Sequence, residues 1–282
     1  MASPLATAKQ QLRRLLKQRL SKVSQDSVLA QSMTNSTSIN IQPLTPHQSL
    51  FFHLFEKIDN SIISGSTIFE TLKSFKPYQD ANRISVYLSM PVGEIQTDAI
   101  VRHALNSGKQ VFVPYLHKSP LDEPGTPARV MDMVQLQDVQ DYDRLQRDSW
   151  GIPSIDPATV HLRQRILGGP DVHKSDQSTL DLILMPGVAF DTDGAGSVRR
   201  LGHGKGFYDF FLNRYLAAKP HDEVGNDGPV LRFYGLALTE QLLNPETDEP
   251  VPMGQYDRKL HGLILGNGEI KLSPDTLSIS AS

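Results

Sequence analysis

The sequence of 282 residues contains no cysteine and a single tryptophan. The absence of cysteine excludes disulfide bonds, zinc–thiolate clusters and thiol catalysis, and it is typical of a reducing compartment. Any catalysis must therefore use other groups. The formal net charge is only -3, so the chain has no overall field that would attract nucleic acid or an anionic membrane.

Long apolar runs are absent as well. The longest, at residues 180–190, is shorter than the roughly 20 residues of a membrane span and is interrupted by Asp181 and Pro186. We therefore expect a soluble protein without a membrane or nucleic-acid partner. A hydrophobic fraction of 39% and a charged fraction of 21% are ordinary globular values.

The N-terminal region is basic, because no acidic residue precedes Asp26. Residues 4–23 predict an amphipathic helix in which Leu12, Leu16 and Leu20 recur at helical spacing. A basic segment without acids is typical of a mitochondrial transit peptide. The alternative is a helix that works in the mature protein. We expect a cytoplasmic location, with a mitochondrial one as the alternative.

Strand and helix patterns alternate along the rest of the chain. Residues 84–90 and 111–116 predict strands, and residues 97–107 predict a helix between Thr97 as N-cap and Gly108 as terminator. A strand–helix–strand unit is typical of a parallel sheet. Further strands are predicted at residues 130–136, 180–190 and 232–238, and further helices at 50–58, 66–75 and 207–217. We predict one three-layer α/β domain with a mainly parallel central sheet flanked by helices.

Polar segments interrupt this pattern. Residues 24–49, 119–128 and 219–228 are interpreted as insertions, and residues 271–282 as a loose C-terminal tail. The α/β domain is accordingly expected to span residues 1–270.

A glycine-rich loop follows the apolar run and precedes the helix at residues 207–217. Backbone N–H groups at a helix start form an anion site, and glycines leave room for a phosphate. Lys205 stands inside this turn as a flexible cation suited to phosphate oxygens. The loop is neither G-x-x-x-x-G-K-[ST] nor G-x-G-x-x-G. The alternative is a tight turn with Lys205 and His203 in solvent.

Two motifs around this loop are more specific. The sequence reads P-G-V-A-F-D over residues 186–191 and R-L-G-H-G-K-G-F-Y-D over residues 200–209. This pair resembles the 5-formyltetrahydrofolate cyclo-ligase family, in which P-G-V-A-F-D precedes R-L-G-x-G-K-G-Y-Y-D. His203 stands where the family often has Arg, and Phe207 where it often has Tyr. The likeness continues at Leu12-Arg13, at Leu88–Met90 with Glu94–Thr97, at Trp150–Pro153, and at Val251-Pro252 with Asp257.

The resemblance implies an ATP-dependent reaction on 5-formyltetrahydrofolate. The N5-formyl oxygen takes the γ-phosphoryl group, N10 attacks the activated carbon, and loss of phosphate leaves 5,10-methenyltetrahydrofolate, with ADP as the other product. Such phosphoryl transfer requires clustered positive charge, a divalent metal and close alignment of donor and acceptor. ATP as co-substrate and Mg²⁺ are therefore the implied cofactors, and folate and ATP the only implied partners. We expect a monomer.

The resemblance also assigns site residues, with Lys205 and Arg200 as the catalytic pair and Asp209 and Asp257 as magnesium ligands. The implied ATP contacts are Lys9, Gln10, Gln11, Leu12, Arg13, Arg200, Leu201, Gly202, His203, Gly204, Lys205, Gly206, Phe207 and Tyr208. The implied folate contacts are Leu88, Glu94, Trp150, His203, Gly204, Lys205, Gly206 and Phe207.

Each assignment has a simpler alternative. The basic row of the first helix is also explained by a solvated face, Leu88 by core packing, and Trp150 by a buried core anchor. Either aspartate could be a cap or a surface group. Two other functions compete: a kinase or ligase for another small molecule, and a non-catalytic nucleotide- or RNA-binding protein whose basic helix contacts phosphates.

Overall fold

The computed structural model describes residues 3–32, 68–119, 126–167, 179–218 and 231–274. The predicted helix at residues 50–58 and the insertion at 219–228 lie outside these ranges. The helices are α1 (Pro4–Leu20), α2 (Gln25–Ser32), α3 (Ile68–Ser74), α4 (Lys76–Asp80), α5 (Asp98–Asn106), α6 (Val139–Asp143) and α7 (Phe207–Ala218), with 3-10 helices at Pro157–Leu162 and Thr239–Gln241.

The strands are β1 (Arg83–Val86), β2 (Gln110–Lys118), β3 (Arg129–Leu136), β4 (Gln146–Arg147), β5 (Pro153–Ser154), β6 (Arg165–Ile166), β7 (Leu182–Met185), β8 (Ala189–Thr192), β9 (Val198–Leu201), β10 (Arg232–Ala237), β11 (Gly262–Leu265) and β12 (Ile270–Leu272). Eight of them form one sheet in the order β12-β11-β10-β7-β1-β2-β3-β6. The five strands from β11 to β2 are mutually parallel, and antiparallel pairs occur only toward the two edges of this sheet. The predicted mainly parallel sheet is confirmed.

Side chains of the central strands alternate between two apolar layers, as the period of a strand requires. Leu182 and Leu184 of β7 face the cluster that includes α3 and α5, whereas Ile183 and Met185 face the cluster that includes α7. The predicted three-layer arrangement is therefore confirmed. Among the described residues, no helix is long and apolar enough to cross a membrane.

The chain reverses its direction of travel across the sheet between β1 and β7. From β1 it proceeds to β2, β3 and β6, and it then returns to β7 on the other side of β1 before continuing to β10 and β11. In open α/β sheets, ligands bind in the crevice at the carboxyl ends of the strands where this reversal occurs. The segments that follow β1 and β7 therefore border the expected site.

The apolar run at residues 180–190 is not one strand, as the sequence predicted, but two. It forms β7 in the large sheet and β8, which pairs antiparallel with β9 in a separate hairpin. Pro186 lies between them and has no N–H to continue a ladder. At Gly187 the Phe190 ring occupies the space that a side chain would need. The hairpin β8–β9 carries the glycine loop out of the large sheet.

Two segments that the sequence predicted to be irregular, the first insertion and the C-terminal tail, begin with regular secondary structure. The insertion predicted at residues 24–49 starts as α2, whose Val28 and Ser32 are buried, so residues 25–32 form a packed helix and not an irregular polar segment; residues 33–49 lie outside the described ranges. The predicted tail starts inside β12, which pairs with β11. Ser273 then donates a hydrogen bond to Leu260 O at 2.5 Å. The domain therefore continues past residue 270.

Candidate active site

Helix α1 lies against the hairpin that carries the glycine loop. Its buried Leu12 and Leu16 pack in one cluster with Leu201 and Val251. Since Leu12 and Leu16 are four residues apart, they share a helix face. The helix starts at Ser3, whose side chain accepts a hydrogen bond from Ala6 N at 3.2 Å. The apolar face of α1 fixes where its basic side chains can reach.

The glycine loop connects β9 to α7 and is contacted directly by α1. Arg13 Nε donates to Gly202 O at 2.8 Å. Gly204 (φ +100) and Gly206 (φ +68) have left-handed backbones that favour glycine. A Cβ at Gly204 would also lie 3.2 Å from Arg13 Cζ. Glycine at residue 204 thus permits both the turn and the approach of the guanidinium.

The two predicted catalytic cations have opposite environments. Lys205 is exposed, and it makes no ion pair or hydrogen bond within the described part of the chain. Arg200 has only 4% of its side chain exposed; it pairs with Asp209 at 2.8 Å and donates to Pro186 O at 3.3 Å. Lys205 is therefore available to a ligand, whereas Arg200 holds the loop and Asp209 in place.

The two predicted metal-binding carboxylates are each bound to a cation. Asp257 pairs with Lys9 and accepts from Gly254 N at 2.5 Å. Asp209 pairs with Arg200 and accepts from Arg258 N at 3.1 Å. Because Arg258 directly follows Asp257, both carboxylates border one turn. The structure describes no group of three or more His, Asp or Glu side chains that could hold a metal ion.

The loop after β1 is fixed by its own hydrogen bonds and buries Glu94. Met90 N donates to Glu94 Oε2 at 3.0 Å, and Gln96 Nε2 donates to Met90 O at 2.9 Å. Thr97 stands at the predicted N-cap of α5, but its hydroxyl donates to Tyr87 O at 2.7 Å instead of capping the helix. Glu94 is thus held in a preformed pocket with 5% of its surface exposed.

His203 connects the glycine loop to this pocket. Its Nε2 lies 3.6 Å from Glu94 Oε1. Burial raises the pKa of Glu94 to about 7, although the hydrogen bond from Met90 opposes this shift. Burial and the charges of Arg200 and Arg13 lower the pKa of His203. Both shifts favour the neutral form of each group, so the contact is not a fixed ion pair.

Two buried polar atoms beside this contact have no hydrogen-bond partner among the described residues: Arg200 Nε and Tyr208 Oη. Arg200 Cζ lies 5.5 Å from the centre of the Tyr208 ring. Burial raises the pKa of Tyr208 well above its ordinary value, the charge of Glu94 raises it further, and that of Arg200 opposes the rise. The hydroxyl is therefore a protonated donor. An unpaired buried donor costs about 1–3 kcal/mol, so a ligand oxygen or nitrogen here would relieve that cost.

The sequence matches the 5-formyltetrahydrofolate cyclo-ligase family over residues 6–265. The chain belongs to this family. A probable 5-formyltetrahydrofolate cyclo-ligase of Caenorhabditis elegans is 34% identical over 197 residues, which cover 70% of this chain and 79% of the relative. The 5-formyltetrahydrofolate cyclo-ligase of Saccharomyces cerevisiae is 28% identical over 222 residues, covering 76% and 90% of the two chains.

Among solved structures, the NMR structure of 5,10-methenyltetrahydrofolate synthetase from Aquifex aeolicus matches 95% of this chain and 93% of its own. The two are 19% identical, with a TM-score of 0.49. Membership in the cyclo-ligase family confirms the expected enzyme class. It excludes the alternative of a non-catalytic nucleotide- or RNA-binding protein.

The other residues of the cyclo-ligase motifs differ in how much of their surface is exposed to solvent. Leu88 is 7% exposed and packs in the large core cluster. Trp150 is 72% exposed, so its alternative as a buried anchor was wrong. A Cβ at Gly151 would lie 2.9 Å from Pro91 Cγ, which places Trp150 next to the loop of Glu94. Gln10 and Gln11 are exposed on α1, and Phe207 is half-buried.

Sequence reasoning missed the side chains that shape the pocket of this cyclo-ligase. Gln96 and Thr97 lie in the E-I-Q-T stretch that contributed to the resemblance, but Gln96 was assigned no role and Thr97 only that of a helix cap. Tyr87 donates to Ile95 O at 2.9 Å and closes the same loop. Polar residues among the apolar positions around β1 were the available signal. Leu201, expected to contact ATP, has its side chain in the core at 1% exposure, so only its backbone faces the loop.

Proposed function

We propose that this protein converts 5-formyltetrahydrofolate and ATP into 5,10-methenyltetrahydrofolate, ADP and phosphate. The observation that carries the proposal is the contact between His203 of the glycine loop and Glu94 of the pocket after β1. Through it, a loop suited to phosphate and a buried acid suited to a pterin share one crevice. Neither segment alone would distinguish folate chemistry from other phosphate chemistry.

In the proposed first step, the N5-formyl oxygen attacks the γ-phosphorus, and the bond from that phosphorus to ADP breaks. Lys205 stabilises the charge that develops on the transferred group, together with the N–H groups at the start of α7. The other ATP contacts proposed here come from α1, where Lys9 and Arg13 share a face, and from the loop between Arg200 and Tyr208. We propose that Arg200 acts by positioning Asp209 and the turn.

In the second step, N10 attacks the carbon of the phosphorylated formyl group, the bond to phosphate breaks, and the N10 proton is released. Holding N10 near that carbon is an effect of orientation, which can supply several kcal/mol. We propose that Glu94 accepts hydrogen bonds from the pterin N–H groups when it is ionised. In this proposal the unpaired Tyr208 hydroxyl also donates a hydrogen bond to the folate. The further proposed folate contacts are Leu88, Trp150, His203, Gly204, Lys205, Gly206 and Phe207.

The residues present fit a magnesium ion that arrives with ATP. Mg²⁺ is usually bound by one or two carboxylates together with substrate phosphates and waters, and Asp209 and Asp257 offer two carboxylates at one turn. When bound, the ion would neutralise charge on the phosphates. We propose that phosphate replaces Asp257 as the partner of Lys9, which frees this carboxylate for the metal.

We further propose a cytoplasmic monomer. The packing of Leu12 and Leu16 against the hairpin makes α1 part of the folded domain. Removal of α1 as a transit peptide would take Lys9 and Arg13 with it. Residence in mitochondria would therefore require that import leave this helix in place.

The proposal is tested by incubating the purified protein with 5-formyltetrahydrofolate, ATP and magnesium and recording the methenyl absorbance. We expect product that depends on all three components and ADP in equal amount. Omission of ATP, and replacement of the substrate by 10-formyltetrahydrofolate, are the controls. Absence of an ATP-dependent methenyl product from the folded protein would refute the proposal.

A further inference from the structure

A second cavity of about 270 Å³ lies away from the glycine loop, at the β6 edge of the large sheet. It opens to solvent and is bordered by the end of β2, by β6 and by the 3-10 helix Pro157–Leu162. Among the described residues, four basic side chains and no carboxylate line it: His117, His161, Arg163 and Arg165. We call it the basic cavity.

The charges around the basic cavity do not balance. Asp132, behind its wall, is 1% exposed and receives hydrogen bonds from Arg165 Nε at 2.8 Å and Arg214 Nη1 at 3.1 Å. Burial alone would raise the pKa of Asp132, but the hydrogen bond from His117 and the charges of both arginines hold it below its usual value. One carboxylate thus faces two guanidinium groups.

Arg163, which also lines the cavity, does not change this balance of charges. Arg163 is paired through two nitrogens with Asp141, and these two groups cancel. Counting only the residues that the structure describes, one surplus positive charge therefore remains at the wall before either histidine is included. A partly buried charge without a counter-ion is costly, so an anion in the cavity would be stabilised.

His117 is oriented toward that wall. Its Nδ1 lies 2.8 Å from Lys118 O. Its Nε2 lies 2.8 Å from Arg165 Nη2 and 2.9 Å from Asp132 Oδ2. The ring also stacks on Tyr115, with centroids 5.7 Å apart and planes 14° apart. An aromatic surface thus leads directly to the cations.

Tyr115 packs against the apolar cluster that contains Leu88, a proposed folate contact. Ser85 of β1 and Phe112 of β2 are paired in register. Leu88 lies two residues past the end of β1, and Tyr115 lies three residues past Phe112 within β2, so both follow the paired positions in the same direction along the strands. Both belong to or pack against one apolar cluster. A ligand whose pterin lies at Leu88 would extend across Tyr115 toward the basic cavity.

We propose that the basic cavity binds the carboxylates at the glutamyl end of the folate substrate. This inference rests on the proposed function for the identity of that substrate. A folate places a flat aminobenzoyl ring between its pterin and its glutamyl group, in the same order as Leu88, Tyr115 and the cations of the cavity. Arg214 contributes from α7, the helix that begins at the glycine loop.

The test introduces a charge at the rim without disturbing the wall. Ala158 lines the cavity, and its side chain is exposed. Ala158→Glu should raise KM at least about tenfold for 5-formyltetrahydrofolate and its polyglutamates. It should leave KM unchanged for 5-formyltetrahydropteroate, which has no glutamyl group. Ala158→Gln, of equal size but neutral, should change either value less than about twofold.

A binding readout separates this inference from catalysis. A γ-linked triglutamate peptide should raise the Tm of the wild-type protein and of Ala158→Gln, but not that of Ala158→Glu. Equal KM changes for substrates with and without the glutamyl group would overturn the inference, and so would stabilisation by inorganic phosphate but not by the peptide. Absence of turnover with any folate would instead refute the proposed function.

Discussion

The two sides of the candidate active site are built in opposite ways. After β1, Glu94 is buried in a loop closed by internal hydrogen bonds, and its raised pKa leaves it partly neutral. After β7, the glycine loop exposes Lys205, and ion pairs form around it between Arg200 and Asp209 and between Lys9 and Asp257. The first side is fixed before a ligand arrives, whereas the second contains pairs that a triphosphate and a cation would have to exchange.

This difference suits the β1 side to discriminating between substrates and the β7 side to stabilising the charge on phosphate groups. A preformed pocket discriminates between substrates because a wrong ligand leaves buried polar groups unpaired. An exposed cation at a helix start responds to any phosphate but stabilises a transferring group only when it is aligned. Mutations on the β1 side should therefore change folate affinity, and mutations on the β7 side should change turnover.

The largest effect is expected at Lys205. Lys205→Ala should lower kcat by about 10³-fold, because it removes the exposed cation proposed to stabilise the transferred phosphoryl group. The Tm should stay unchanged, since this side chain has no ion pair in the described part of the chain. Steady-state kinetics with saturating folate and ATP measure the effect. Lys22→Ala, which removes another exposed lysine, is the control, and a near-normal kcat in Lys205→Ala would remove it from the mechanism.

A smaller effect on turnover and a larger one on KM are expected at Glu94. Glu94→Gln should raise KM for the folate about tenfold or more, because it removes an ionised acceptor worth about 1.5–3 kcal/mol. KM for ATP should change little. Initial rates at varied folate concentration test this, with Glu246→Gln at the exposed surface as the control. An equal rise of both KM values would contradict the division between the two sides.

Glu94 also predicts how stability depends on pH. Its pKa is raised from 4.5 to about 7 in the folded protein. The folded state therefore binds a proton more tightly than the unfolded state, and the resulting stability is lost as the pH rises from about 4.5 through about 7. The free energy of unfolding in urea should fall over this range by at most roughly 3 kcal/mol, and less in Glu94→Gln. Equal slopes in the two proteins would contradict the shifted pKa.

Tyr208 distinguishes a ligand contact from a structural one. Tyr208→Phe should lower kcat/KM about tenfold but raise Tm by roughly 2–4 °C, because it removes a buried hydroxyl that has no partner among the described residues. Tyr78→Phe is the matched control, since its hydroxyl bonds His103 Nδ1 at 2.8 Å and its loss should lower Tm. Thermal unfolding and steady-state kinetics decide. A lower Tm in Tyr208→Phe would indicate a structural role.

The smallest effect is expected at the position that departs from the family. His203→Arg places a permanent positive charge near Glu94 and should lower the pKa of that carboxyl group by about one unit. In the wild type, folate affinity should increase as the pH rises through about 7. In the variant, the midpoint of this increase should lie at a lower pH. Above about pH 8 the variant and the wild type should differ less than twofold. The neutral His203→Gln should keep the wild-type profile; an identical shift there would exclude the electrostatic explanation.

Local sequence patterns predicted the helix that follows the glycine loop. The helix at residues 207–217 differs from α7 by a single residue, because its glycines and its apolar spacing lie within one short segment. The division of residues 180–190 into β7 and β8 was not predicted, since it depends on the Phe190 ring against Gly187. The strand β12 was missed because its three residues are stabilised mainly by pairing with β11.

In the site, residue types were predicted better than their surroundings. Arg200 and Lys205 look alike in the sequence as cations around glycines, but one is buried against Asp209 and the other is exposed. The pairing of Lys9 with Asp257 joins positions 248 apart in the chain. No local pattern encodes such a contact, which follows from the packing of α1 on the hairpin.

The attachment of α1 to distant segments also determines when the site can form during biosynthesis. Lys9 is paired with Asp257, and Arg19 Nη2 lies 2.6 Å from Asp248 Oδ1. Both acidic partners are synthesised more than two hundred residues after the helix. A nascent chain therefore emerges from the ribosome with a basic helix that lacks these two native partners. The phosphate side of the crevice is assembled only after almost the whole domain has been translated.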